Sequence, residues 1–236
     1  MPRRGRPTVD LEKVLDSVIC VLKTGMPWRH LKSTSFGVDY RTAHRYFRKW
    51  TVSNVFEEVY ATCLRLTRIS RSRRRRYRAI DSTFVKNIYG TDCVGRSPVD
   101  RGRKATKMSA VVDEDGIPVA LSFFPGNVSD YNTVDETLAN AFLPPEPGCA
   151  LYADKGYDSR RVRSTMTRFG YVDRAERRRH KTHRSQSRKR RIVENTFAWL
   201  DKFRRLIVRY DARIQSYRAF TLLACCLLIG NRLFVR

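Results

Sequence analysis

Apolar positions begin to recur at helical spacing at Val9, and the first predicted element follows from them. Leu11, Val14, Leu15, Val18, Ile19 and Leu22 fall at i, i+3 and i+4, the stripe of an amphipathic helix. Asp10 or Thr8 is placed to cap its start, and Gly25 offers the left-handed stop. After the turn Met26-Pro27-Trp28, Asp39 opens a second helix, YRTAHRYFRKW. Ala43, Tyr46, Phe47 and Trp50 lie on one side of it, and Arg41, His44, Arg45 and Arg48 on much of the other. Asn54-x-x-Glu57 has the form of a capping box opening a third helix through about Ile69. Three short helices with a basic second member suit a helix-turn-helix-like DNA-binding unit, and equally a small helical bundle with a basic surface.

Arg71 to Arg78 is nearly continuous arginine, a linker or a phosphate-tracking strip, and the pattern changes across it. Residues 77–83 read as a strand that delivers Asp81 near its end. Met108–Val112 and Ile117–Phe124 are two more strands, joined by Asp113-Glu114-Asp115-Gly116 as a hairpin. Pro125-Gly126-Asn127 ends the hairpin, and Ser129 or Asp130 starts a helix to about Phe142. Residues 149–153 form a compact strand that runs directly into Asp154. A helix over 159–169, a short strand near Tyr171-Val172 and a basic loop over 174–191 follow. The stretch RKRRIVENTFAWLDKFRRLI, residues 188–207, predicts one amphipathic helix. Ile192, Thr196, Trp199, Phe203 and Leu206 make its stripe, with Val193, Leu200 and Ile207 at the flanks. At about 100° per residue, Glu194 points away from the stripe, beside Arg190 and Asp201. Ser216 to Leu233 is a last, largely apolar helix. Three strands, a helix, a strand and then helices is the order of a ribonuclease H-like α/β fold. The predicted division is a helical domain over 1–70 and an α/β domain over 71–236.

Composition narrows the class of partner. The chain carries 48 Lys plus Arg against 23 Asp plus Glu, a net charge of +25. Arginine suits forked phosphate contacts, so a polyanion, most simply nucleic acid, is the expected partner. At 42% hydrophobic residues, the chain has the material for a core. Six cysteines without CxxC pairs argue for a reduced intracellular protein with neither a disulfide framework nor a zinc site, and His180-x-x-His183 reads as basic loop. The N-terminus has no signal-peptide core. The longest apolar run, Phe220 to Gly230, falls short of the about 20 residues that span a bilayer.

Metal-dependent phosphodiester chemistry needs carboxylates converging on hard cations. Asp81 and Asp154 at strand ends and Glu194 on a helix are candidates, set against the ordinary duties of acids as caps, turns and surface charges. Asp158 reads as a cap, Asp113 and Asp115 as turn residues, and Asp130 as a cap that can also orient a ligand. Trp199 and Phe203 read as core.

These residues also carry a resemblance along nearly the whole chain, to the DDE transposases of bacterial insertion sequences, the insertion-sequence-five superfamily. RGRPTVDLEKVLDSVICVLKTGMPWRHL and TAHRYFRKWTVSNVFEEV are similar to that family's N-terminal DNA-binding region. IDSTFVK resembles its first-Asp motif, GRSPVDRGRKATKMSAVVDEDGIPVALSFFPGNVSD the hairpin after it, ADKGYDS the second-Asp motif and RIVENTFAWLDKFRRL the Glu motif. The resemblance implies a ribonuclease H-like fold with Asp81, Asp154 and Glu194 as a metal-binding triad. Two Mg²⁺ ions, replaceable by Mn²⁺, would serve DNA strand cleavage and transfer. It implies phosphate contacts from Arg73, Arg74, Arg75, Arg76 and Arg191, with Arg190 in the family's upstream basic position. Downstream, Asp201 stands where a lysine is expected, and Lys202 follows one residue later. Element ends would be read by the N-terminal helices, with Arg41, Arg45 and Arg48 in the second. The implied partners are terminal inverted repeats and target DNA, bound by a homodimer or larger assembly, without a membrane. The implied location is the cytoplasm or nucleoid of a bacterium, or the nucleus for a eukaryotic or viral host. The alternative is a domesticated or inactive relative that binds DNA without cutting it. The chain also starts late relative to the family's first segment, before RRGRP, which implies a shortened N-terminus.

Overall fold

The computed structural model describes residues 9–70, 76–178 and 184–234. Helix α1 (Leu11–Thr24) starts where the sequence places it: Asp10 accepts from the Glu12 and Lys13 amides, and Gly25 closes the helix at φ 70. A short α2 (Ser33–Phe36) precedes α3 (Tyr40–Val52), whose N-cap Asp39 accepts from Arg41 N. Helix α4 (Val55–Ser70) begins as expected. Asn54 adopts φ 53, a left-handed conformation that Asn tolerates. It serves as the hinge that reverses the chain between α3 and α4.

The sheet has seven strands among the described residues. β1 (Tyr77–Asn87), β3 (Lys104–Asp113) and β4 (Pro118–Pro125) form an antiparallel meander, with β2 (Gly95–Arg96) beside the start of β3. β5 (Ala150–Ala153) pairs parallel to β1, and β6 (Val172–Ala175) parallel to β5. β7 (Val208–Arg209) pairs parallel to the far end of β1. The path β4-β3-β1-β5-β6, a meander followed by two crossovers, is the ribonuclease H-like order. Between β3 and β4 the turn forms as read, with Asp113 Oδ1 accepting from the Asp115 and Ile117 amides.

Period-two alternation divides the core between the faces of the sheet. Ile80, Val111 and Leu151 pack under α5 (Asp130–Ala139) and α6 (Arg160–Arg168), against Val134, Leu138, Val162 and Met166. Ala79, Met108, Ala110 and Tyr152 face the other way, toward α7 (Arg184–Leu200) and α9 (Ile214–Phe234). The N-terminal helices join this second face: Phe47 of α3 stacks on Phe220 of α9 with ring centroids 4.4 Å apart.

Two expectations need correction. β1 runs on to Asn87, because Val85 and Asn87 are buried, so Asp81 sits in mid-strand opposite Ala110 rather than near a strand end. The helix predicted over 188–207 is interrupted. α7 ends at Leu200, tight turns carry Lys202 N to Trp199 O and Phe203 N to Leu200 O, and α8 (Arg204–Ile207) restarts the helix. Extended backbone at Phe203 (φ −85, ψ 103) buries its ring against Trp199, centroids 5.1 Å apart. The break redirects the chain so that β7 can lie beside β1, which a continuous helix would prevent. The buried face also takes in Phe197, absent from the predicted stripe, whereas Ile207 at its flank is exposed.

Candidate active site

β1 and β5 run parallel with Ala79 opposite Tyr152. Asp81 follows within β1, and Asp154 stands just past the end of β5, near enough for its charge to act on Asp81. Each carboxylate is aimed by a backbone amide. Ser82 N donates to Asp81 Oδ1 at 2.8 Å, and Gly156 N to Asp154 Oδ1 at 2.8 Å. Burial, the largest cause, pushes Asp81 up to about 6; the Ser82 amide opposes it, and the charges of Asp154 and Asp130 add to it.

Asp130 belongs to the same group. As the first residue of α5 it leaves the capping of its helix aside, and its Oδ1 accepts from Ser82 Oγ at 2.5 Å and from Lys107 Nζ at 2.6 Å. Lys107 is buried in β3 and Ser82 lies on the same face of β1. A lysine in the middle of the strand ATKMSAVV was the signal for this arrangement, and sequence reasoning passed over it. Tyr157 is fully buried. Burial first, then Asp81 and Asp130, push its hydroxyl well up, so it stays protonated beside the acids.

Glu194 is not gathered with the aspartates. Its carboxylate lies 3.2 Å from Arg190 Nη1, and Arg190 Nε lies 3.6 Å from Glu176 Oε1. Arg190 also lowers Asp81, so its guanidinium serves three acids at once. No group of three His, Cys, Asp or Glu side chains among the described residues is tight enough to hold a metal ion. Asp201 and Lys202 lie in the turn beyond α7, both exposed, so neither continues the helical face of Glu194.

The donors nevertheless fit a hard divalent cation. They are hard oxygen donors, and a glycine lies between them. A Cβ on Gly156 would stand 2.9 Å from Asp154 Oδ1 and 3.8 Å from Asp130 Oδ2, so the missing side chain leaves the space where those two oxygens meet. Gly156→Ala is expected to turn the Asp154 carboxylate aside and lower strand cleavage by about 10²-fold, since a shift of about 1 Å can cost that much. Melting should be little changed. Cleavage at the unaltered rate would show that Asp154 does not need its present orientation.

The basic candidates separate into exposed and buried. Arg41, Arg45 and Arg48 are exposed along α3, and Arg76, Arg191 and Lys202 are exposed as well. Arg73, Arg74 and Arg75, like His180 and His183, lie outside the described residues. Arg78, at the end of the arginine strip, is buried and donates to Leu143 O, Pro144 O and Tyr171 Oη, so it is a core residue. Asp158 does not cap α6, whose N-cap is Ser159; it accepts from Arg163 Nη1 at 2.6 Å and from Arg178 N. None of the six cysteines is paired. No helix among the described residues is long and apolar enough to cross a membrane.

Comparison with known proteins identifies the family. The profile described as "Transposase DDE domain" matches residues 72–229, and that described as "Putative transposase of IS4/5 family" matches residues 1–60. The chain is similar to the "Putative transposase for insertion sequence element IS402" of Burkholderia cepacia, 35% identical over 154 residues, covering 61% of this chain and 72% of the relative. Among solved structures, the catalytic domain of Mos1 mariner transposase aligns at 14% identity and TM-score 0.33, covering 74% of this chain and 93% of that one. A Mos1 transposase paired-end complex with left transposon end aligns at 15% identity and TM-score 0.33, covering 98% and 82%. At such scores the fold assignment rests on strand order instead. Use of a divalent metal is implied by membership in the DDE family. With two aspartates presented by adjacent strands of a ribonuclease H-like sheet and a family match over most of its length, the chain belongs to the DDE transposases, enzymes that cleave DNA strands and transfer them.

Proposed function

We propose that Asp81, Asp154 and Glu194 are the carboxylates with which this transposase holds two Mg²⁺ ions, for which Mn²⁺ can substitute, and that it acts on the terminal inverted repeats of an insertion element and on target DNA. The observation that carries the reading is a buried Asp81 in β1 with the charge of Asp154, from the end of the neighbouring parallel strand, acting on it. When bound, the ions would polarise the phosphodiester and activate the attacking water or 3′-hydroxyl.

The chain's own residues prepare that chemistry. The Gly156 amide orients Asp154, and the Ser82 amide orients Asp81. Lys107 fixes Asp130 beside them. Arg190 occupies the positive role among the acids; its contact with Glu194 is half in water, at 46% exposure of the Glu194 side chain, and so weak enough for Glu194 to leave it. In this reading residues 1–70 recognise element ends and 71–236 cut, as a homodimer or larger assembly on paired ends.

The test is cleavage of labelled duplexes carrying the element's own ends, with Mg²⁺ and with a chelator. Nicks at the element boundary that vanish with chelator support the reading. Chelator-resistant or randomly placed cuts would overturn it. Arg45 and Arg48 should hold phosphates. Changing both to Ala is expected to flatten the log affinity against log salt plot by about 0.9 for each lost contact, measured by anisotropy. An unaltered slope would take α3 out of the DNA interface.

A further inference from the structure

A cavity of about 730 Å³ opens away from the acids, between the N-terminal helices and the far end of the sheet. Small-molecule sites occupy about 300–1,000 Å³. Trp28, Tyr40, Tyr89 and Tyr210 line it with aromatic faces, and Arg29 and Arg205 with charge. These residues come from five separate places: the turn after α1, the start of α3, the loop after β1, α8 and the residue after β7. Trp28 is the fixed wall, 5.5 Å from Phe47 and 5.0 Å from His44 between ring centroids. Tyr89 and Tyr210 stand 6.1 Å apart and leave 66% and 45% of their surface in water. Neither contributes to the core clusters.

Arg205 lines the same cavity while held in place: its guanidinium lies over the Phe220 ring at 5.3 Å and its Nη2 donates to Asp211 Oδ1 at 2.8 Å. The cavity also continues into a shallower groove of about 460 Å³ along α3, with Tyr40 and His44 lining both. Arg41, Arg45, Arg48 and Lys49 line that groove.

A basic groove leading into an aromatic cavity matches the chemistry of a single strand, whose phosphates track cations while its bases stack on rings. Bases inside a stacked duplex cannot reach such walls. We propose that the cavity receives an unpaired nucleobase of a DNA strand whose phosphates run along α3, with the base stacked among Trp28, Tyr89 and Tyr210 and Arg205 beside it. The proposal rests on the reading of the chain as a DNA-processing enzyme and adds to it a site for a base taken out of the duplex.

The test compares full-length protein bound to short fluorescein-labelled oligothymidylate and to a duplex of the same length. In the double variant Tyr89→Ala/Tyr210→Ala, the affinity ratio of single strand to duplex is expected to fall about tenfold. The double variant Tyr89→Phe/Tyr210→Phe should keep the wild-type ratio, because stacking needs the ring and not the hydroxyl. Both tyrosines are exposed, so the fold should survive, which melting would verify. A wild-type ratio in the double alanine variant overturns the cavity's role while leaving the DNA reading intact. Wild-type protein that binds neither form would overturn both.

Discussion

Replacing Asp81 by Asn is expected to reduce cation-dependent strand cleavage roughly 10³-fold and, at the same time, to raise the melting temperature of the cation-free protein. The two effects have one cause. Burial and the neighbouring Asp154 hold Asp81 at about 6, above its ordinary value of 3.8. Its negative charge at neutral pH therefore works against folding. The folded protein takes up a proton that the unfolded chain does not between those two values, so this contribution to stability falls as pH rises from about 4 through about 6 and is lost above that. Asn cannot ionise and removes the penalty, on the order of 1–3 kcal/mol at pH 7, or several degrees at about 2–4 °C per kcal/mol for a chain of this size. Divalent cation should stabilise the parent protein by mass action and leave Asp81→Asn unmoved. Melting curves with Mg²⁺ and with chelator measure this without any cleavage assay. A variant that melts lower than the parent in chelator, or that keeps the parent's Mg²⁺ response, would remove Asp81 from the cation site.

The same residue shows how much of the site was legible in the sequence. Asp81 and Asp154 could be chosen because strand-like patterns lead to each of them, and helix boundaries could be chosen because Asp10, Asp39 and Gly25 act locally. Local hydrogen bonds and period-two alternation are written in consecutive residues. Register is not. The sequence does not say that Asp81 lies opposite Ala110, or that Lys107 reaches across to Asp130, because those contacts join residues far apart along the chain. The break after Leu200 was hidden for a related reason: the apolar stripe continues in phase through Leu206, and only the need to place β7 against β1 ends the helix. Glu194 illustrates a third limit. Its position on α7 was readable, but its present partner is Arg190, and a choice between a guanidinium and a cation is made by electrostatics in three dimensions.

Arginine is the residue type whose role the sequence shows least, and Arg209, on which the sequence reading was silent, shows why. The net charge argues for a polyanionic partner, yet Arg209 is fully buried. Its five guanidinium N–H groups meet five acceptors: Nε donates to Asp211 O, Nη1 to Asp92 O and Thr106 Oγ1, and Nη2 to Asp92 Oδ1 and Ala212 O. These bonds tie β7, the loop after β1 and β3 together at the end of the sheet opposite the β5 crossover, and they place Tyr210 at the aromatic cavity. Arg209→Ala would leave a void and strand the Asp92 carboxylate and three carbonyls together. The Asp92 side chain is 44% exposed, so the cost lies mainly in the void and in the buried acceptors left unpaired, about 1–3 kcal/mol for each such group. Together these are a large part of the about 5–15 kcal/mol that keeps a domain folded. The variant should melt roughly 10 °C lower at about 2–4 °C per kcal/mol, with a reduced urea midpoint. Arg209→Lys should recover little, because an ammonium group offers three donors from a single point where five are needed in a planar fork. By contrast, Arg48→Ala, at an exposed arginine of α3, should move the melting temperature by no more than about 0.5 kcal/mol would. Equal melting of the Arg209→Ala and Arg48→Ala variants would mean that the guanidinium knot holds nothing together, and the basic residues could then all be treated as a DNA-facing charge.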